Sequence, residues 1–266
     1  MRNYTIFHPY LFSFFSPGLY RDIAQNWRGL NFLYLLLLLA LCWLVTMFQV
    51  HQQAQAFNAT EAPKIIEQVP NIKIENGKLS IDRPSPYRIT SAEDDKTVVI
   101  FDMDGQFESP DDANAYVLVT PDRVMVRRNE FETRTFELAQ FDGLSLDQTM
   151  VQQWAQTASR WFAPVAYPFA VLGSFIYRMI QVLIYGVIGL LFSAITGAKL
   201  SYAALVRLAV TAITPVLLLD TLVASLNITI PFWGGLCFLI AMVYLLFGVI
   251  ANRRANSAPT GLYELR

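Results

Sequence analysis

The stretch VVIFDMDGQFESPDD, residues 98–112, brings Asp102, Asp104, Asp111 and Asp112 close together in the chain. Several carboxylate oxygens are what a hard cation such as Ca²⁺ or Mg²⁺ requires. An EF-hand loop would need a third oxygen ligand before its Gly and a Glu as its last ligand, and neither stands in register here. The stretch is therefore read as a solvated acidic turn closing an apolar strand, with a looser cation site as the alternative. A second polar group lies where polarity is costly. Arg178 and Asp220 each sit inside a long apolar run, and ionisable groups in hydrocarbon are functional candidates by default. Arg178, Gln181 and Tyr185 recur at i, i+3, i+7 and share one helix face. These groups either line a polar cavity for a lipid headgroup or small solute, or Arg178 and Asp220 form an ion pair that fixes helix register. His8 and His51 lack neighbours at ligand spacing, and Cys42 and Cys237 lie in apolar runs. Neither a metal site built on them, nor a disulfide framework, nor a cofactor is expected.

The elements that must position these groups differ sharply in composition. Residues 51–150 carry 18 acids and 10 bases, whereas the rest of the chain carries 3 acids and 10 bases. Apolar residues make up 54% of the whole and charged residues 15%, well below the roughly 25% charge of soluble domains. Four runs approach the ~20 apolar residues that cross a bilayer: 30–50, 163–195, 202–226 and 231–251. A cleaved signal peptide is the rival reading of the first, because Ala54–Ala56 reads AQA. Its apolar core exceeds the usual ~7–15 residues and its leader is long, so a retained anchor is expected. Arg2, Arg21 and Arg28 precede the first run, Lys199 and Arg207 flank the start of the third, and Arg253, Arg254 and Arg266 follow the fourth. Basic residues gather on the cytoplasmic side, which puts both termini inside and residues about 51–160 outside. If the second span starts near Val171, Arg178 and Asp220 lie about two turns below the outer surface. Gly189, Ser193 and Gly197 form a small-xxx-small stripe for close packing, and Pro215 bends the third span. The aromatic leader, 1–29, either lies in the headgroup layer or packs on the bundle as a cytoplasmic stub. Residues 252–266 form a cytoplasmic tail.

In the acidic segment, IKIENGKLSID alternates around Asn76-Gly77, the pair favoured in two-residue hairpin turns. That register sets Glu75 opposite Lys78, Ile74 opposite Leu79 and Ile72 opposite Ile81. Further strands are expected at 87–90, 98–102, 115–120, 123–127 and 132–138, with a tight turn at Thr120-Pro121-Asp122-Arg123. Ser145-Leu146-Asp147-Gln148 offers a capping box for a helix over 146–162 that leads into the second span. The architecture expected is thus a membrane α-helical bundle of four transmembrane helices with an inserted small extracytoplasmic antiparallel β-rich (α+β) domain at 51–145.

The apolar run ending in Asp-Met-Asp-Gly resembles the motif of haloacid dehalogenase-like phosphohydrolases. That resemblance would make Asp102 the nucleophile and Asp104 the acid/base, with Thr120, Arg127, Asp142 and Asp147 imitating the later motifs. Gln106 departs from the Thr or similar residue after the Gly. The parallel core of that fold needs crossovers of a dozen or more residues, whereas ten residues, 105–114, separate the expected strands. A motif without its structural context is weak.

A second likeness covers nearly the whole chain. The leader SFFSPGLYRDI, the segments IENGKLSIDRPSPYRI, VVIFDMDG and AYVLVTPDRVMVRRN, and the helix KLSYAALVRLAVTAITPVLLLDTL resemble a bacterial membrane family catalogued as a domain of unknown function (number 1189). The resemblance implies a bacterial cytoplasmic-membrane protein and supplies no catalytic residues. The expected role is a non-enzymatic accessory, scaffold or sensing protein, with the bilayer and a membrane or envelope protein as partners and no nucleic acid. Transport or lipid handling through the bundle is the alternative, and a phosphohydrolase using Asp102 and Asp104 the remote one.

Overall fold

The computed structural model describes residues 4–91, 96–129 and 132–256. Arg2 and Arg266, used above for orientation, lie outside the described residues, as does the side chain of Arg254 and most of the 252–266 tail. The chain divides into two compact units, Met1–Val50 with Ala163–Arg266, and His51–Phe162.

The first unit is helical. Two short helices, α1 (Pro9–Phe12) and α2 (Pro17–Asn26), precede α3 (Leu30–Thr60). Pro17 opens α2 because the first helical position needs no N–H bond, and Ser16 Oγ caps it by accepting the Leu19 N–H at 3.3 Å. The chain returns through α5 (Gln148–Thr196), α6 (Tyr202–Ala212), α7 (Thr214–Ser225) and α8 (Trp233–Asn256). Four helical stretches are long and apolar enough to cross a membrane: Leu30–Thr60, Gln148–Thr196, Tyr202–Ser225 and Trp233–Arg253. The third is interrupted at Ile213, where Pro215 enters at the start of α7; its missing N–H and its ring against the preceding turn end the helix there. This third stretch is also the centre of the bundle, being 72% buried against 28–33% for the other three. The others expose rows of large apolar side chains, such as Leu172, Ile176, Ile180 and Ile184 on α5.

The leader packs on this bundle through one face. Leu19, Tyr20, Ile23 and Trp27 are buried with Leu205, Leu208, Leu245 and Val249. Arg21 donates to the Ala251 carbonyl at 2.7 Å and Arg207 to that of Ala24 at 2.6 Å. In the stretch before α2, Phe7, Leu11 and Phe15 are exposed.

The expected small-residue stripe is only partly realised. Gly189 does sit against Leu205, and Gly186 against Val206 and Tyr202. Gly197 instead follows the last residue of α5 with φ +70° and nothing against it. It terminates the helix rather than packing it.

The second unit holds α4 (Ala62–Ile66) and two sheets. The strands are β1 (Ile72–Glu75), β2 (Lys78–Ile81), β3 (Tyr87–Thr90), β4 (Thr97–Phe101), β5 (Val117–Val119), β6 (Arg123–Asn129), β7 (Glu132–Glu137) and β8 (Ser145–Leu146). The β1–β2 hairpin has the expected register, Ile74 against Leu79 and Glu75 against Lys78. Its turn residues have positive φ, 56° at Asn76 and 72° at Gly77, as a type I′ turn requires. One sheet runs β2-β1-β8 and the other β3-β4-β5-β6-β7. All pairs are antiparallel except β4–β5, which is parallel. The connection of residues 102–116 makes this crossover without a helix, so one pair departs from the expected antiparallel order. The capping box also differs. Ser145 is taken up in β8, and Asp147 caps α5 by accepting the Met150 N–H at 2.7 Å.

Candidate functional site

The acidic turn is built outward from Asp102. Its backbone N–H continues the β4–β5 ladder to the Val119 carbonyl at 2.8 Å, which draws the side chain into the unit, where it is 0% exposed. There the carboxylate folds the following turn around itself. The N–H groups of Asp104 (3.2 Å) and Gly105 (3.0 Å) donate to Oδ1, and that of Phe107 (2.8 Å) to Oδ2. Gly105 permits the turn by adopting φ +75°. The Asp102 carboxylate thus has its hydrogen-bonding capacity met by backbone N–H groups of its own turn. Attack on a phosphate would require those bonds to break and the group to reach solvent.

The other acidic candidates do not converge on it. Asp104 is exposed. Asp111 pairs with Arg127 at 2.9 Å, and Arg127 also lies 4.9 Å from the centre of the Tyr116 ring. Asp112 accepts the Glu108 N–H at 3.3 Å. Among the described residues, no group of three or more His, Cys, Asp or Glu is placed to hold a metal ion. The residues that imitate later phosphohydrolase motifs have local partners too. Thr120 donates to Asp122 at 2.8 Å, Asp142 accepts the Gly77 N–H at 3.1 Å, and Asp147 caps α5.

The helical unit does bring its candidates together. Arg178, Gln181 and Tyr185 from α5, Asp220 from α7, and Trp233, Cys237 and Phe238 from α8 line a cavity of about 200 Å³. Arg178 and Asp220 do not pair with each other. The Arg178 guanidinium donates through Nη1 to Gln181 Oε1 at 2.6 Å, and Gln181 Nε2 donates to the Tyr185 hydroxyl at 2.8 Å. The face shared by i, i+3, i+7 spacing is therefore a hydrogen-bonded relay. Asp220 Oδ1 instead accepts the Trp233 indole N–H at 2.8 Å. Arg178 Nε is buried without a partner. Arg178 and Asp220 therefore both line the cavity without forming an ion pair with each other. Trp233 was not singled out in the sequence, although a Trp at the head of an apolar helix is a common interfacial residue.

A protein-family model described as a protein of unknown function, DUF1189, matches residues 7–249. No curated protein and no solved structure matches the chain.

Proposed function

The chain belongs to the DUF1189 family, and from that premise we propose a multi-pass protein of the bacterial cytoplasmic membrane with a non-enzymatic accessory, scaffold or sensing role. Both termini lie in the cytoplasm and residues about 51–160 outside it, so the β-rich unit meets an envelope protein. The distribution of Arg21, Arg28, Lys199, Arg207 and Arg253 supports this orientation, and the exposed apolar rows of the long helices support a lipid surround. The engagement of Asp102 in its own turn argues against phosphoryl transfer as the activity.

The observation that carries the interaction role is β7. It stands at the edge of the five-stranded sheet, and its residues Thr133 to Glu137 are all exposed. An open edge offers backbone donors and acceptors to an added strand, and Phe136, 47% exposed, adds an apolar anchor. A photo-crosslinking residue at Thr135 or Phe136, in the full chain in intact cells, is expected to give a discrete protein adduct that the same probe at Ser80 does not. Absence of an adduct at both positions would overturn the role assigned to this edge. Phosphatase activity lost in Asp102→Asn would overturn the non-enzymatic reading.

A further inference from the structure

The charges in the bundle cavity are left in an unusual state. Arg178 has five N–H donors to place, yet one goes to neutral Gln181 and the buried Nε has no partner. Asp220 takes a single bond from neutral Trp233. Opposite charges in an apolar surround normally meet each other, because an uncompensated charge there is costly. Here neutral side chains hold them apart while both line one cavity. The arrangement is complementary to a ligand that carries both signs. An anion alone would be repelled by Asp220, and an amine alone by Arg178.

The setting selects among such ligands. Asp220 lies five residues before the end of α7 at Ser225, a depth of roughly 7.5 Å, and Trp233 begins α8. With the end of α7 taken as the outer membrane surface, that depth falls at the headgroup and glycerol level, since headgroups add about 5–7 Å to each side of the hydrocarbon core. Tyr177, 62% exposed, and Phe238, 42% exposed, stand at the rim, beside exposed Ile176, Ile180 and Leu239. At about 200 Å³ the space is smaller than the ~300–1,000 Å³ of sites that enclose a drug-sized ligand. It admits a headgroup with the acyl chains left outside on the apolar helix faces.

We propose that this cavity binds the zwitterionic headgroup of an aminophospholipid, with the phosphate on Arg178 and the primary ammonium on Asp220. Gln181 and Tyr185 hold the guanidinium towards the phosphate, and Trp233 holds the carboxylate towards the amine. The proposal rests on the membrane reading above but not on an envelope partner at β7.

Cys237 lines the cavity, whereas Cys42 is buried in the helical core and does not line it, so thiol reactivity at Cys237 reports occupancy without altering the charged groups. Full-length protein carrying Cys42→Ala is reconstituted in phosphatidylglycerol vesicles with or without phosphatidylethanolamine and treated with methyl methanethiosulfonate. Phosphatidylethanolamine is expected to slow modification of Cys237 about tenfold, the scale of one charge-assisted hydrogen bond. Asp220→Asn is expected to remove that slowing. Equal rates in the two vesicle types would overturn the site. The same slowing in Asp220→Asn would mark a general bilayer effect and overturn it too. Equal protection by free phosphoethanolamine in phosphatidylglycerol vesicles would overturn the lipid as the source of the headgroup.

Discussion

At the scale of single residues, the acidic turn shows how chemical type and chemical use separate. Asp102 has the type of a nucleophile, but its carboxylate accepts three backbone N–H groups and holds a turn together. Asp102→Ala would leave those donors without their acceptor, at a cost of ~1–3 kcal/mol, read as a lowered thermal midpoint of the full-length protein. Asp102→Asn, which keeps one acceptor oxygen, should lower it less. Asp122 predicts a pH effect. The Thr120 hydroxyl, opposed by desolvation and aided by backbone bonding and Arg123, holds its carboxyl below the usual range. A carboxylate favoured in the folded state contributes stability above the unfolded value of about 3.9 and loses it as pH falls through the folded pKa. The difference in thermal midpoint between wild type and Asp122→Asn should therefore shrink below about pH 4. The polar turn itself was legible, since Asp-Met-Asp-Gly after an apolar run is turn chemistry. Which oxygen takes which N–H was not, because that depends on how β5 pins the Asp102 backbone.

At the scale of elements, close packing is set by where small residues meet large ones on a neighbouring helix. A Cβ on Gly248 of α8 would lie 2.6 Å from Cδ1 of Tyr20. Tyr20 cannot yield easily, since it is wholly buried, bonded to the Ser13 carbonyl at 2.8 Å and edge-on to Phe247. Gly248→Ala should destabilise the bundle by ~1–3 kcal/mol through overpacking. Gly173→Ala, with nothing within 4 Å of its Cβ, should be tolerated, and thermal melts of the two purified variants make the comparison. The Asn76-Gly77 hairpin and the Pro215 interruption were legible because local backbone sterics dictate both. The partners of Gly186 and Gly248 were not, because helix periodicity gives a face but not the helix opposite it. The expected stripe through Gly197 erred because Gly197 follows the end of α5 at φ +70° instead of continuing it.

At the scale of the whole molecule, the proposed orientation predicts which surfaces reach the cell exterior. In a background lacking Cys42 and Cys237, Ser80→Cys should react with a membrane-impermeant maleimide in intact cells. Gln25→Cys should react only after lysis. The reverse pattern would invert the orientation. The amino-acid order by itself determined much of this protein: four apolar stretches, an acidic β-rich segment between the first two, the hairpin register and the asymmetric placement of basic residues. These follow from local propensity and from the composition of each segment, which act on each segment independently. Tertiary structure alone decided the parallel pairing of β4 with β5, the burial of Asp102, and the meeting of Arg178 and Asp220 in one cavity as separate charges rather than as a pair. Those outcomes depend on contacts between residues far apart in the chain, where packing selects one partner among several that sequence spacing permits.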